Sequence, residues 1–589
     1  MTAYSLEDNE LWLRHSLRLG FRIGQVIYII FRTLTKTSLD FMAILIFIAG
    51  TIKTLERIWV LRSATRENFK ESMLPGPDSG PNYSRYMEEN HSKQCEGFDV
   101  ESGRFKKVPI EGNLSLTAPE NVKIADGATL QDAYIFFKTS KQLFADLVLN
   151  IDDKVKSQSF FQSASCEQAY KVIEVELGFM FDVFYTKAFI FYSVKGGLLR
   201  LLCFFCTVSA LLVFLKIEKH PYPAADVIIT YILLGGAIML ELYDVLVLLK
   251  SDWTMVWLSK HKNAVVDLLY FISSISLGGK KRWSNAMGQY NLIKYCFIQH
   301  KRRCLKRWLY RCLKRCLKRM QIKYRDSANV PIHLKKLIFE QLQKKSRSAT
   351  DFKACKELCA FRGERVLENA KYLEDEGEIS EEDRKTLKKS VKVEFDESIL
   401  LWHIATSLCY SSDWNIISST VNSPILHYKA SKLLSDYMLY LMVTRPSMLP
   451  NGIAQVRYRD TVAEAGNFFE ERKYMFDVNE ACTKLLEVNT EISPSEVKGD
   501  KSKSVLFDGC ILAKSLQCLK IEKRWELISH VWVEMLCYAA NKCRWNDHVR
   551  QLCRGGELLT HVSLLMAHLA ITEQFKIFKG HAKPKLIVR

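Results

Sequence analysis

The sequence is poor in glycine and proline, the residues that most often interrupt helices. Its 589 residues include 26 Gly and 13 Pro, below their average usage of about 7% and about 5%. This scarcity argues against sandwiches and barrels, whose many tight turns need both residues. We therefore expect a mainly α fold.

The sequence also lacks the motifs of common catalytic sites. It contains no phosphate-binding loop, dinucleotide-binding fingerprint, nucleophile elbow or kinase signature. Its CxxC motif, Cys203–Cys206, has no second pair and lies in an apolar run, which indicates packing rather than zinc binding. We predict a protein that is not an enzyme and needs no cofactor.

A cleavable signal peptide is not expected, because Met1–Asn9 is polar and acidic and no apolar core follows it directly. The 17 cysteines are scattered along the chain. We expect them to be mostly reduced, buried thiols in a protein that faces the cytosol.

Apolar helices and positive charge are what the sequence does contain. Hydrophobic residues make up 48% of the chain, yet the mean hydropathy is only -0.06. This combination is typical of membrane helices joined to a water-soluble part. The net charge of +19 indicates an anionic partner, with lipid headgroups and nucleic acid as the main candidates.

The apolar segments come in two pairs, and each has an uncharged stretch shorter than the ~20 residues of an upright span. The first segment is the weakest, because Arg18, Arg22 and Arg32 leave only nine uncharged residues between the last two. The second pair is stronger. The four segments are Leu19–Leu34, Leu39–Thr54, Ala188–Leu215 and Ala225–Leu249.

Basic residues follow the second and the fourth segment, which places both exits and the C-terminal half in the cytosol. The pattern does not distinguish the plasma membrane from the endoplasmic reticulum. We predict a multi-pass α-helical membrane region followed by an all-α soluble domain. The predicted divisions are a membrane pair (1–60), a cytosolic loop with helices (61–186), a second membrane pair (187–250), a juxtamembrane region (251–325) and an all-α cytosolic domain (326–589).

The most basic segment is Lys301–Arg325, in which 12 of 25 residues are basic and none is acidic. Its cysteines and leucines recur every four residues and form an apolar stripe on a cationic helix. Such a helix binds an anionic membrane surface. The predicted surface residues are Lys301, Arg302, Arg303, Lys306, Arg307, Trp308, Arg311, Lys314, Arg315, Lys318 and Arg319, and the cysteines open to S-acylation are Cys304, Cys312 and Cys316.

The segment has three other interpretations. Calmodulin and other acidic proteins bind basic amphipathic helices through an aromatic anchor such as Trp308. A solvated linker is the simplest alternative. Nucleic acid is not expected, because the segment follows a membrane span by about fifty residues.

Two further groups of residues invite a chemical role. Glu241 and Asp244 share a helix face near the end of the fourth segment, where carboxylates indicate either an ion pathway or pairing with Arg200 or Lys195. We favour pairing. The second group is a metal hypothesis for the C-terminal half, where core histidines are the preferred interpretation; its residues are His530, Glu534, His561 and His568.

The C-terminal half has helical periodicity throughout. Pro424 opens a helix that carries apolar residues on one face, namely Leu426, Ala430, Leu433, Leu434, Tyr437 and Leu441. The other predicted helices run from about Glu522 to Lys542, with Trp525, Ile528, Trp532, Met535 and Ala539 inward, and from Leu558 to about Phe575 after the break at Gly555-Gly556.

Several long strings together resemble one family. They include GTIKTLERIWVLRSAT (Gly50–Thr65), SDWTMVWLSK (Ser251–Lys260), FDESILLWHIATSLCY (Phe395–Tyr410) and HVWVEMLCYAANKCRW (His530–Trp545). The chain resembles the plant family of unknown function catalogued as domain 4220, which ends in a domain catalogued as 594, here about 395–589. The resemblance implies a plant membrane protein and supplies no catalytic residues. Thr2–His15 resembles a point inside the family's first half, so further apolar helices are expected to precede it.

These observations favour a non-enzymatic, membrane-anchored interaction or scaffold protein with a helical cytosolic tail and unidentified protein partners. The alternative is a channel or transport component that uses Glu241 and Asp244. A metal-dependent enzyme in the C-terminal domain is the weaker alternative.

Overall fold

The fold is seen in a computed structural model. The residues that the structure describes are 5–33, 38–73, 87–88, 91, 100–103, 127–145, 151–187, 194–219, 222–261, 282–309, 326–349, 352–370, 379–418, 424–450, 452–472, 475, 477–498, 504–572 and 585–588.

The chain forms two compact units. The first comprises residues 1–156, 171–282 and 574–589, and the second comprises 157–170 and 283–573. Up to residue 282 the helices are α1 (Leu6–Glu10), α2 (Trp12–Thr33), α3 (Ser38–Ser63), α4 (Arg66–Glu71), α5 (Gly127–Phe144), α6 (Ile151–Ser163), α7 (Cys166–Tyr185), α8 (Val194–Lys216), α9 (Ala224–Leu249) and α10 (Asp252–Ser259). The chain passes from one unit to the other within α6 and again within α7.

The helices that follow belong to the second unit, and a 3₁₀ turn at Pro446–Met448 interrupts them. They are α11 (Leu292–Leu309), α12 (Ile332–Ser348), α13 (Phe352–Ala360), α14 (Glu364–Asn369), α15 (Glu381–Lys392), α16 (Phe395–Ser418), α17 (Pro424–Thr444), α18 (Ala454–Glu471), α19 (Val478–Leu486), α20 (Pro494–Lys498), α21 (Val505–Gln517), α22 (Ile521–Lys542), α23 (Trp545–Leu552) and α24 (Leu558–His568).

Two small antiparallel sheets complete the described elements. Strand β1 (Val100–Gly103) pairs with β4 (Lys585–Val588), and β2 (Ala286–Gln289) pairs with β3 (Asp326–Asn329). The predicted mainly α fold is confirmed.

Three helices of the first unit are long and apolar enough to cross a membrane: Ser38–Ser63, Gly196–Lys216 and Ala224–Leu249. They pack side by side, with α8 antiparallel to both neighbours. At one end the cluster of Ala210, Phe214 and Leu234 packs against the first turns of α3. Much of α9 is exposed and apolar, as lipid contact requires. This bundle is the membrane region.

The first predicted segment is part of α2, which is not among these three candidate spans because of its arginines. The position of α2 is nevertheless informative. The Asn9 amide donates to the carbonyl oxygen of Ala64 at 3.4 Å, and Arg62 lies over the Trp12 ring at 5.0 Å. Because Thr33 precedes Ser38 by only five residues, α2 runs antiparallel to α3 along its length. Its 22 residues measure about 33 Å.

The second unit is built around α22, whose buried face contacts α17 and α24. The five side chains predicted to face inward on this helix, Trp525 to Ala539, are all fully buried. On α17 the prediction is right for Ala430, Leu434, Tyr437 and Leu441, whereas Leu433 is half-buried and Leu426 is 51% exposed. Leu426 lies in the first turn of α17.

Two predicted limits change in the second unit. Helix α24 ends at His568 rather than near Phe575, because Ala570 adopts a left-handed backbone with φ 62°. The longer segment of the unit begins at Trp283, 43 residues before Asp326, because β2 pairs with β3. The break at Gly555-Gly556 is confirmed, since both residues have positive φ.

Most described cysteines are buried free thiols, as predicted. Cys203 and Cys206 both lie in α8 and are nearly inaccessible to solvent. The Cys203 thiol donates to the carbonyl oxygen of Ala49 at 3.7 Å. This contact joins α8 to α3 and supports the packing interpretation of the CxxC motif.

Candidate functional site

The predicted carboxylates lie in a charged cluster at one end of the membrane bundle. The antiparallel packing brings the C-terminal halves of α3 and α9 beside the N-terminal half of α8. Each helix contributes a charged side chain at the same depth. The charged cluster consists of Lys53, Glu56, Lys187, Arg200, Glu241 and Asp244.

Every carboxylate of the charged cluster lies within 4 Å of a cation. The shortest pair joins Lys53 Nζ to Glu241 Oε1 at 2.6 Å. Arg200 Nη2 donates to Asp244 Oδ2 at 3.0 Å, and Arg200 Nε lies 3.9 Å from Glu56 Oε1. Lys187 Nζ donates to Glu56 Oε2 at 3.4 Å.

Burial makes two of these carboxylates dependent on their cations. Glu241 is 4% exposed and Glu56 5%, so each carboxylate has lost most of its hydration and depends on its cation. Three cations face three carboxylates among the described residues, and their formal charges cancel. The arrangement supports structural pairing of Glu241 and Asp244 more than an open ion pathway.

Arg200 was among the partners foreseen for these carboxylates, whereas Lys53 was not. The signal was present in the sequence, because Lys53 and Glu56 are spaced three apart near the end of an apolar segment, as Glu241 and Asp244 are. What the spacing does not specify is the orientation of α3 beside α9, which brings Lys53 to Glu241.

Removing one partner of the shortest pair should therefore destabilise the bundle. We expect Lys53→Met to cost about 3–5 kcal/mol, because it leaves Glu241 buried without a countercharge. The melting temperature of the purified full chain in detergent measures the effect. Asp244→Asn is the comparison, with an expected cost of about 1 kcal/mol or less, since this carboxylate is 48% exposed.

The double variant Lys53→Met/Glu241→Gln completes the cycle. It should recover most of the lost stability, because neither charge then remains in the apolar bundle. A double variant as unstable as Lys53→Met would contradict the pairing.

The histidines of the metal hypothesis have other partners. The His561 ring stacks on Trp283 with 3.8 Å between ring centroids. His568 Nδ1 shares a hydrogen bond of 2.6 Å with the Ser157 hydroxyl, and its ring stacks on Phe161. Each of these rings is held by contacts within the second unit.

The two residues on α22 point to separate partners as well. Glu534 is fully buried, and its Oε1 lies 3.0 Å from Lys345 Nζ in an ion pair. The His530 ring meets the edge of His427, and burial with this second imidazole lowers the pKa of His530 to about 4. Across the described part of the chain, no group of three or more His, Cys, Asp or Glu residues is arranged to hold a metal ion.

The basic segment enters the described part of the chain only at its start. Helix α11 ends at Leu309, residues 310–325 lie outside the described residues, and so do the side chains from Arg302 onward. The predicted surface residues after Lys301 and the S-acylation of Cys304, Cys312 and Cys316 stay predictions.

Three helices able to span a membrane, bound by internal ion pairs and joined to a helical second unit, define a helical membrane protein. The chain belongs to the family described as Domain of unknown function (DUF4220), whose model matches residues 1–296. Residues 519–571 match the model described as Protein of unknown function, DUF594, a shorter span than the predicted 395–589. Both confirm the resemblance. Neither a curated protein nor a solved structure matches the chain.

Proposed function

We propose that this chain is a non-enzymatic, membrane-anchored interaction protein of plant membranes, whose second unit recruits protein partners at the cytosolic surface. The observation that carries the proposal is the pairing of Glu241 with Lys53 and of Asp244 with Arg200. A bundle whose buried carboxylates, Glu56 and Glu241, are both paired is suited to anchorage rather than ion passage.

The second unit supplies a surface for contacts. Trp414, Ile416 and Leu426 are each half exposed although they are large and apolar. Tyr410 stacks on Tyr428 with 4.1 Å between ring centroids, which holds the end of α16 beside the start of α17. These three exposed side chains therefore lie on two helix ends that contact each other. Exposed groups of this kind mark contact sites.

The basic segment Lys301–Arg325 has a supporting role in this proposal. It would hold the second unit against anionic lipid, or bind calmodulin or another acidic protein. The vesicle and calmodulin binding of a peptide with this sequence distinguishes the two roles.

The anchor is tested by reconstitution. The full chain should stay in carbonate-washed membranes, and vesicles that contain it should show no ion flux above that of empty vesicles. Flux that falls in Glu241→Gln would instead favour the channel alternative, in which the carboxylates serve an ion.

The interaction role is tested by proximity labelling in plant cells. The variant Trp414→Ala/Ile416→Ala/Leu426→Ala should lose a reproducible set of labelled neighbours at unchanged abundance. The matched control is Ile453→Ala/Val456→Ala, which removes two side chains of similar exposure elsewhere on the unit. Identical neighbours for wild type and both variants would argue against recruitment through these three side chains.

A further inference from the structure

A cavity of about 370 Å³ opens in the first unit at the C-terminal end of α3. Its walls come from α3, α4, α5, α7 and α10. The lining divides into aromatic rings and cations. The rings are Trp59, Phe69, Tyr134, Phe137 and Trp253, and the cations are Arg62, Lys138 and Lys141.

The aromatic wall is held rigidly. The Trp253 ring meets Tyr134 and Phe137 edge-on, with centroids 5.9 and 5.7 Å away. Its indole Nε1 donates to Asp182 Oδ2 at 3.2 Å. Asp182 also contacts the Thr186 hydroxyl. The wall therefore keeps its shape, and the Asp182 carboxylate beside it accepts hydrogen bonds from Trp253 and Thr186.

A fourth cation joins the three that line the cavity. Lys138 and Lys260 lie over the same Tyr134 ring, at 4.9 and 5.3 Å from its centroid. Within the described residues no carboxylate forms an ion pair with any of the four, and Arg62 lies over the ring of Trp12. Like charges are thus gathered without a countercharge.

Lysines that line a cavity in the second unit are, by contrast, paired with carboxylates. A cavity of similar volume there is lined by Lys294 and Lys432. Both lysines are paired, Lys294 with Asp326 at 3.1 Å and Lys432 with Asp436 at 2.7 Å. The cations beside Tyr134 differ, because no carboxylate among the described residues forms an ion pair with them.

The clustered positive charges disfavour the protonated form of the lysines. The pKa of Lys141 is lowered by burial and by the neighbouring Lys138, and the pKa of Lys260 is lowered for the same two reasons. An anion in the cavity would oppose both shifts, because a nearby negative charge favours the protonated form of each lysine.

The cavity lies where a membrane span ends. Trp59 and Arg62 belong to the last turns of α3, and Trp253 follows the end of α9 by four residues. Tryptophan and arginine at such positions lie at the level of lipid headgroups. The depth therefore favours a lipid over a soluble anion.

We propose that this cavity binds the phosphorylated headgroup of an anionic membrane lipid. Four cations exceed what one phosphodiester needs, so the headgroup carries at least one phosphomonoester. Lys138, Lys141 and Arg62 contact the phosphates, and the rings of Tyr134 and Trp253 pack against the headgroup. This site is separate from the segment Lys301–Arg325 and does not rest on the proposed recruitment of proteins.

The test uses the purified full chain in detergent and a fluorescent short-chain phosphatidylinositol 4-phosphate, whose binding is followed by fluorescence anisotropy. Lys138→Gln/Lys141→Gln should raise the Kd of this probe about tenfold or more. The variant should also melt no lower than wild type without lipid, because it relieves repulsion. The matched control is Lys385→Gln/Lys388→Gln, which removes two exposed lysines at the same spacing on α15 and should stay within about twofold of wild type.

Competition separates the sources of phosphate. Unlabelled short-chain phosphatidylserine and soluble inositol phosphate should displace the probe at least about tenfold less well than unlabelled short-chain phosphatidylinositol 4-phosphate does. Equal displacement by phosphatidylserine would overturn the phosphomonoester requirement, and equal displacement by the soluble compound would overturn the lipid assignment. A double variant that binds as tightly as wild type would overturn the site itself. Since Lys301–Arg325 is intact in every variant, its contribution cancels.

Discussion

Acidification from pH 7 to pH 5 is expected to destabilise the second unit by about 2 kcal/mol for each of three buried histidines, about 6 kcal/mol together. His403, His548 and His561 are each at most 1% exposed. Burial is the main cause that lowers the pKa of His403 to about 4 and those of His548 and His561 to about 3.

The hydrogen bonds of these rings fit the neutral imidazole. His403 Nε2 accepts from the backbone N–H of Leu292 at 3.1 Å, and its Nδ1 lies 2.9 Å from the Ser435 hydroxyl. The Nε2 atoms of His548 and His561 have no hydrogen-bond partner among the described residues. A proton added at either nitrogen would be buried without an acceptor.

The direction of the pH effect on stability follows from these pKa values. Between about pH 6.5, where an unfolded histidine titrates, and the folded values of about 3 to 4, the unfolded chain binds more protons. The contribution of these histidines to the free energy of unfolding is therefore fully present above pH 6.5 and is lost as the pH drops towards 4. For His403 the nearby Asp436 opposes this trend and Lys432 adds to it, but burial outweighs both.

Urea unfolding of the full chain at pH 7, 6 and 5 measures the loss. The signal is tryptophan fluorescence, since Trp402, Trp525 and Trp532 are fully buried in the second unit. His403→Gln should lose about 2 kcal/mol less than wild type between pH 7 and pH 5, because glutamine can both accept and donate without titrating. Replacing the exposed His261 by glutamine is the control. Equal losses for His403→Gln and wild type would count against the buried neutral form.

The second large effect is expected from Asp413→Ala, which should destabilise the second unit by about 3–5 kcal/mol. Arg524 is 7% exposed and Asp413 is 5% exposed at their side chains. Arg524 Nη1 donates to the two carboxylate oxygens of Asp413 at 2.8 and 2.6 Å. The substitution would leave the guanidinium buried without its countercharge.

The other bonds of Arg524 explain why it cannot move away. Its guanidinium donates to the carbonyl oxygens at the end of α21, which α22 follows after three residues. These acceptors are Leu516, Gln517 and Leu519, at 2.8–3.0 Å. The Trp525 indole also donates to Asp413 at 2.9 Å. One side chain therefore joins α16, α21 and α22.

Two variants make this prediction specific. Asp413→Asn keeps an oxygen acceptor and should cost less than Asp413→Ala. Glu487→Ala breaks the Lys484–Glu487 pair, which has a similar distance of 2.8 Å but is about half exposed, and should cost about 1 kcal/mol or less. A loss below about 1 kcal/mol for Asp413→Ala in urea unfolding would refute the role of the pair.

The positions of the main helices were predictable because they depend on local composition. The apolar runs of α3, α8 and α9 and the inward face of α22 were recognised from periodicity and length. Pro424 begins its helix as expected, since proline has no N–H for the first turn to leave unpaired. Leu426 was misplaced because burial in a first turn depends on neighbours rather than on periodicity.

The sequence by itself determined that this is a mainly α membrane protein, because a run of apolar residues needs no knowledge of the fold to indicate its surroundings. Only the tertiary structure decided which charges meet. Lys53 pairs with Glu241 from 188 residues away, and Arg62 lines one cavity with Lys138 and Lys141. Such pairs follow from the orientation and spacing of packed helices, which many distant contacts set together and which no local pattern records.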